Sequence, residues 1–313
     1  MYPGFKTQLT YQDETFSIVG FQLLSERNVK MTCRYRGDGG PAKFIVSKEE
    51  IPATVKYISN HEERGLTCIR KNGVEVKQVE HILSALCGMN VLDTDIYLEY
   101  TDGGEIDGPI APPVLQLNCR EFSLAIVSCF LNRNNKENKS AIDLNRAFVF
   151  VEKSEKGPLN DPACAIFAPL HKLHITAQIN FPYFWGSQIY AETITTLDYV
   201  KNICWARSFF GTAFPHKAEW SELRKKYPGV LRERENHYRS IMLDYTQNKW
   251  ITPLIVNTEP VRHKMLDFIG DLALLGVQLN AGIHIYKPHH HFNRECVIGL
   301  AEELGLLKKM EIL

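Results

Sequence analysis

The stretch EPVRHKMLDFIGDLALLG, residues 259–276, decides the reading of the whole chain. From Arg262 to Gly276 it holds no proline and its apolar residues recur at helical spacing, which predicts a helix. At about 100° per residue, Met265, Leu266, Phe268, Ile269, Leu272, Ala273 and Leu275 share one side, the side for a core. The opposite side carries His263, Asp267, Gly270 and Asp271, with Leu274 as the exception. His263 and Asp267, four residues apart, project side by side, so one rigid helix can offer two metal ligands. Gly270 leaves space beside them, and Asp271 is placed to orient another group. A solvated polar face would leave the same pattern.

Two further stretches bear on that choice. QVEHILSALCGMN, residues 78–90, is apolar almost all round when wound as a helix, so it belongs in an interior. Its small residues Ser84, Ala85 and Gly88 would let a second backbone come close. A core histidine satisfied by a neighbour accounts for His81 alone, but a buried Glu80 beside it is costly without partners. The chemical alternative is a zinc ligand next to a general base, roles that HExxH metalloproteases pair in the reverse order. In YKPHHHFN, residues 286–293, three histidines follow a predicted strand. They read as a polar loop with weak metal affinity, or as the source of an acid that works near neutral pH.

Composition limits the partners. The chain has 313 residues, 44% of them hydrophobic, enough for one large domain or two ordinary ones. Its 36 basic and 36 acidic residues balance, so no basic stripe points to nucleic acid. The opening MYPGFKTQLTYQDETF lacks a signal-peptide layout, and no run approaches the ~18 apolar residues of a membrane span. Eight cysteines form no CxxC pair and mostly sit in apolar surroundings, which reads as reduced thiols in a cytoplasmic protein.

The polar stretch LNRNNKENKSAIDLN, residues 131–145, divides the chain near its middle. Before it, FSIVGFQLL, VKMTCRYR and DIYLEY read as strands, and VEHILSALCGM and PPVLQLNCREFSLAIVSCFL as helices. After it, AFVFVEK, CAIFAPL, HITAQINF, ITPLIVN and AGIHIYK read as strands, and TLDYVKNICWARSF, RHKMLDFIGDLALLG and NRECVIGLAEELGLLKK as helices. Both halves therefore run strands first and helices later, an α+β chain with domains at 1–131 and 142–313. A charged excursion, PHKAEWSELRKKYPGVLRERENHYRS, fills residues 215–240 within an insertion at about 210–250 of the second domain.

Together the three stretches resemble the zinc-dependent UDP-3-O-acyl-N-acetylglucosamine deacetylases of lipid A biosynthesis. QVEHILSALCG, VRHKMLDFIGDL and YKPHHHFN stand in the order of that family's Thr-Val-Glu-His helix, Val-Arg-His-Lys helix and Tyr-Lys-Ser-Gly-His loop. DGPIAPPV (107–114) and WARSFFG (205–211) resemble two more of its motifs. The resemblance implies two sheet-plus-helices sandwiches packed through their helices, with the active site between them. It implies zinc held by His81, His263 and Asp267, Glu80 as general base, and His290 as the acid steadied by Asp271. Ser208 stands for the hydroxyl that stabilises the tetrahedral intermediate, and Lys264 and Phe209 for substrate contacts. Iron(II) would suit the same three ligands.

Several positions depart from the family. VGFQLLSERNV (19–29) lacks its histidine, INFPYF (179–184) lacks another, and His289 replaces the glycine before the acid histidine. If that site needs positive φ, the loop must bend differently here. Alternating charges at 215–240 do not suit a tunnel for a fatty acyl chain. Three readings stand open: the lipid A enzyme, a paralogue acting on an unacylated UDP-amino sugar, and a non-catalytic zinc-binding relative. A purely structural zinc would require a fourth ligand, for which His289 or His291 is available.

Overall fold

The computed structural model describes residues 8–12, 14–22, 27–59, 65–115, 117–131, 141–153, 161–181, 186–211, 240–244 and 249–310. One six-stranded sheet has the order β1 (Gln8–Gln12), β2 (Thr15–Phe21), β3 (Asn28–Tyr35), β8 (Thr94–Tyr100), β4 (Lys43–Val46), β5 (Glu49–Pro52). The other has the order β10 (Phe148–Val151), β11 (Cys164–Pro169), β17 (Leu279–Tyr286), β12 (His174–Asn180), β13 (Ser187–Thr193), and β9 (Ile142–Asp143) pairs with the start of β17. Residue alternation explains the strands: Val29, Met31 and Cys33 point inward from β3, and Leu279, Ala281, Ile283 and Ile285 from β17.

The two sheets repeat one plan. In the first, β2 pairs antiparallel with β3, β3 antiparallel with β8, β8 parallel with β4, and β4 antiparallel with β5. In the second, β10, β11, β17, β12 and β13 reproduce that sequence of pairings strand for strand. Helix α1 (Glu80–Gly88) precedes β8 as α4 (Glu259–Leu272) precedes β17, so the two helices are topological counterparts. Each half carries its own addition ahead of that helix. The hairpin β6 (Cys68–Lys71) and β7 (Val74–Lys77) precedes α1, and the small sheet β14 (Phe209–Gly211), β15 (Ile241–Asp244), β16 (Lys249–Trp250) precedes α4. Helices α2 (Arg120–Ile126), α3 (Thr196–Asn202) and α5 (His290–Glu303) complete the layers, and one continuous apolar core runs through both halves.

Four expectations change. The helix predicted across residues 112–131 starts only at Arg120. Ahead of it the Val114 N–H bonds the Phe21 carbonyl, the Cys119 N–H bonds the Cys204 carbonyl, and Leu117 has φ of 49°, so the backbone is committed elsewhere. ITPLIVN forms no strand: the Pro253 carbonyl accepts from Arg207, and the Ile255 N–H donates to Glu259. The helix expected at 196–209 stops at Asn202, and its last residues enter the loop before β14. The predicted polar loop of three histidines is instead the start of α5, where the ring of His289 caps the helix by accepting from the Phe292 N–H. His289 has φ of −149°, so no glycine is required there, and the positive φ falls on Lys287. Residues 132–140 of the divide, and 212–239 and 245–248 of the insertion that holds the charged excursion, lie outside the described residues.

Candidate metal centre

The site forms where the counterpart helices cross. A methyl group added at Gly270 would overlap the Glu80 carbonyl, so only glycine lets α4 reach the first turn of α1. The Ser84 hydroxyl locks the crossing by donating to the Leu266 carbonyl at 2.7 Å and lying 2.9 Å from the Tyr199 hydroxyl. As a result the polar side of α4 is not solvated. His263 and Asp267 are 2% exposed and Asp271 0%, which rules out the solvent-facing reading of that row.

Three donor atoms converge there. His81, His263 and Asp267 each offer one, and all lie within 4.8 Å of one another. The His81 and His263 Nε2 atoms stand 3.6 and 3.4 Å from Asp267 Oδ1, and that buried oxygen has no hydrogen-bond partner among the described residues. Such spacings suit ligands grouped around one ion, since bonds of about 2 Å separate them by more than a hydrogen bond does. His263 Nδ1 lies 3.0 Å from the Ala206 carbonyl, which fixes its proton there and leaves the Nε2 lone pair facing the cluster. Burial pushes the His263 pKa down to about 3, so at neutral pH the ring is uncharged, as a ligand must be. Burial opposes the Asp267 carboxylate, but the fields of His263, Lys264 and His290 hold it well below its ordinary range. The donor set therefore fits a divalent ion.

Around the donors sit two buried groups of opposite character. Glu80 is 3% exposed, and burial raises its pKa against the pull of His290 and His81. His290 is also buried, yet Asp271 and Asp267 outweigh its desolvation and raise its pKa to about 9. Its Nδ1 donates to Asp271 Oδ2 at 3.0 Å, while its Nε2 points to the cluster, 3.6 Å from Asp267 Oδ2. Lys264 Nζ pairs with Asp267 Oδ2 at 2.7 Å and lies 5.6 Å from the Phe209 ring centre, so both border the cluster. Ser208 is held through its backbone: its N–H donates to Leu117 and its carbonyl accepts from Ile241. Among the described residues its hydroxyl bonds none of the cluster.

His289 and His291 turn elsewhere. His289 Nε2 stands 3.2 Å from Glu152, and His291 Nδ1 lies 3.6 Å from Glu295. Several residues that complete the site carried no role in the sequence reading. Asn293 donates to Asp271 Oδ2 at 2.9 Å, and its place three residues after His290 on a helix would have revealed it. Arg207 makes a two-pronged pair with the fully buried Glu259 at 2.8 and 3.0 Å, tying the loop of Ser208 to the start of α4. Thr67, in a short loop, had no periodicity to mark it.

A family profile described as LpxC, UDP-3-O-acyl N-acetylglycosamine deacetylase, matches residues 9–302. The chain is similar to proteins named UDP-3-O-acyl-N-acetylglucosamine deacetylase from three bacteria. The relative from Xanthomonas campestris pv. campestris is 30% identical over 302 residues, 94% of this chain and 90% of that one. That from Stenotrophomonas maltophilia is 30% identical over 91% of this chain and 88% of its own, and that from Xylella fastidiosa 28% over 79% and 73%.

Proposed function

The chain belongs to the UDP-3-O-acyl N-acetylglycosamine deacetylase family, and from that membership we propose that it hydrolyses the acetamide of UDP-3-O-acyl-N-acetylglucosamine or a close UDP-amino-sugar derivative. The observation that carries this reading is the meeting, in one buried cluster, of three ligand-competent donors with a base and an acid. His81, His263 and Asp267 would hold zinc, with iron(II) as the other ion suited to them. Zinc in that place supplies Lewis acidity to the acetamide carbonyl and to water.

The chain's own residues handle the protons. Glu80 accepts the proton of the attacking water at its carboxylate, and burial makes it a stronger base than an exposed glutamate. His290 holds a proton at Nε2 and delivers it to the departing amine, while Asp271 fixes the ring through Nδ1. Until that transfer, the imidazolium also offsets negative charge growing on the acetamide oxygen, a task shared with the Ser208 hydroxyl. Lys264 and Phe209 form the edge against which the substrate lies. None of the eight cysteines is joined in a disulfide and no described helix is long and apolar enough to span a membrane, in keeping with work in the cytoplasm on a small-molecule sugar nucleotide in lipid A biosynthesis.

The test is acetate release from UDP-N-acetylglucosamine with and without a 3-O-acyl chain, together with metal analysis. The expected outcome is about one zinc per chain and turnover of the acylated compound. Turnover of the unacylated compound alone would make the protein a paralogue outside lipid A synthesis. Zinc binding with no hydrolysis would make it a non-catalytic relative.

A further inference from the structure

We propose that Thr67 is a positioning residue that holds the base and the partner of the acid in fixed relation across the two halves, an inference that rests on the roles given above to Glu80, His290 and Asp271. Thr67 is fully buried and bonds both carboxylates. Its backbone N–H donates to Glu80 Oε2 at 3.1 Å, and its carbonyl accepts from the Val79 N–H at 3.2 Å, so it is fastened to the start of α1 on both sides. Its hydroxyl donates a short hydrogen bond to Asp271 Oδ1 on α4. Glu80 and Asp271 belong to different halves of the repeat, and this single residue supplies one donor to each.

The direction of these bonds is determined. Arg294, fully buried on α5, donates through Nη1 to the Thr67 hydroxyl oxygen at 3.3 Å and to the Leu66 carbonyl at 3.0 Å. The arginine can only donate, so the hydroxyl accepts from it and spends its one proton elsewhere. Asp271 Oδ1 is the short partner, whereas His290 Nδ1 is 3.4 Å away. Asp271 Oδ2 is then left for His290 Nδ1 and Asn293. The chain Arg294 to Thr67 to Asp271 to His290 thus puts a proton on His290 Nδ1 and aims Nε2 at the cluster. A β-branched side chain has few rotamers, which keeps the hydroxyl on its line.

The experiment compares the zinc-loaded full chain with Thr67→Val and Thr67→Ser. Valine keeps the shape and the backbone bond to Glu80 but removes the hydroxyl; serine keeps the hydroxyl. Thr67→Val should retain zinc and hold KM within about twofold while kcat falls about 10–100-fold, and Thr67→Ser should recover most of it. The low-field NMR signal of the His290 Nδ1 proton should shift in Thr67→Val and stay in Thr67→Ser. An unshifted signal with unchanged kcat in Thr67→Val overturns the proposal, as does equal damage from both substitutions. If the parent protein deacetylates no sugar, the functional reading fails separately, and the His290 signal alone decides Thr67: a shift supports it and no shift overturns it. Should Thr67→Val not fold, the parent spectrum serves, because a hydroxyl buried against Asp271 gives a slowly exchanging proton signal and a misplaced one does not.

Discussion

Glu80 and His290 sit in the same dry cluster, and the roles proposed for them make opposite demands on their protons. Burial raises the Glu80 pKa from 4.5, so its base form is complete only somewhat above that value. Asp271 and Asp267 overcome burial at His290 and bring it to about 9, so its acid form persists through neutral pH and disappears as pH rises through 9. The pH profile of kcat/KM should therefore climb on the acid side as Glu80 ionises and fall on the alkaline side near 9. Asp271→Asn removes the strongest field holding that proton, so its alkaline limb should move to lower pH. An alkaline limb that stays put in Asp271→Asn would take the acid role from His290. Glu80→Gln should keep its metal and lose activity by about 10²–10⁴-fold, as acetate assay and metal analysis would show. At this scale the sequence marked ionisable residues that the fold brings into one buried cluster, because helical spacing placed His263, Asp267 and Asp271 together and adjacency marked Glu80 and His81. Thr67 and Arg294 escaped notice because a loop threonine and a helix arginine look ordinary until a fold buries them.

Between elements, the decisive contact is α1 against α4. Small residues on both helices bring the backbones together, and Gly270 lies where any side chain would strike the Glu80 main chain. Gly270→Ala should therefore act at a distance from its own polarity. Restoring room forces α4 away from α1, which costs about 1–3 kcal/mol and also separates Glu80 from the ligands on α4. Urea unfolding should show a lower midpoint, and kcat should drop with it. Gly65→Ala makes a fair control, since an added methyl there meets nothing within 4 Å among the described residues. Equal effects of the two substitutions would mean that the crossing has slack. The helices themselves were legible from periodicity, but their ends were not. The start of α2 is postponed to Arg120 because the preceding N–H groups bond strands and loops remote in sequence. The three histidines begin a helix because His289 caps it with its ring, an option that composition alone does not reveal.

Across the molecule, each half brings to the other what it lacks. The first contributes His81, Glu80 and Thr67, and the second His263, Asp267, Asp271 and His290, so the site exists only when the repeats are docked. The likeness of the halves was visible in their shared order of strands and helices, whereas the parallel pairing of β8 with β4 and of β17 with β12 comes from long-range contacts that no local pattern encodes. An ion gripped from both sides would fasten the halves, which leads to a prediction about stability. Metal binding favours the folded chain by RT ln(1 + [metal]/Kd), about 4 kcal/mol when free metal exceeds Kd a thousandfold, so chelation should lower Tm and added zinc should restore it. His81→Ala and His263→Ala should abolish that restoration although they lie on different halves. Acid should act on the chelated protein in a definite direction. His263 has a folded pKa of about 3 against 6.5 in the unfolded chain. Between those values the unfolded chain binds the extra proton, so this contribution to stability is complete above pH 6.5 and is lost progressively as pH falls toward 3. Denaturant midpoints of the chelated protein should decline across that window, and His263→Gln should decline less steeply. Parallel curves for the two would place His263 outside the buried cluster and remove the ligand that α4 is proposed to supply.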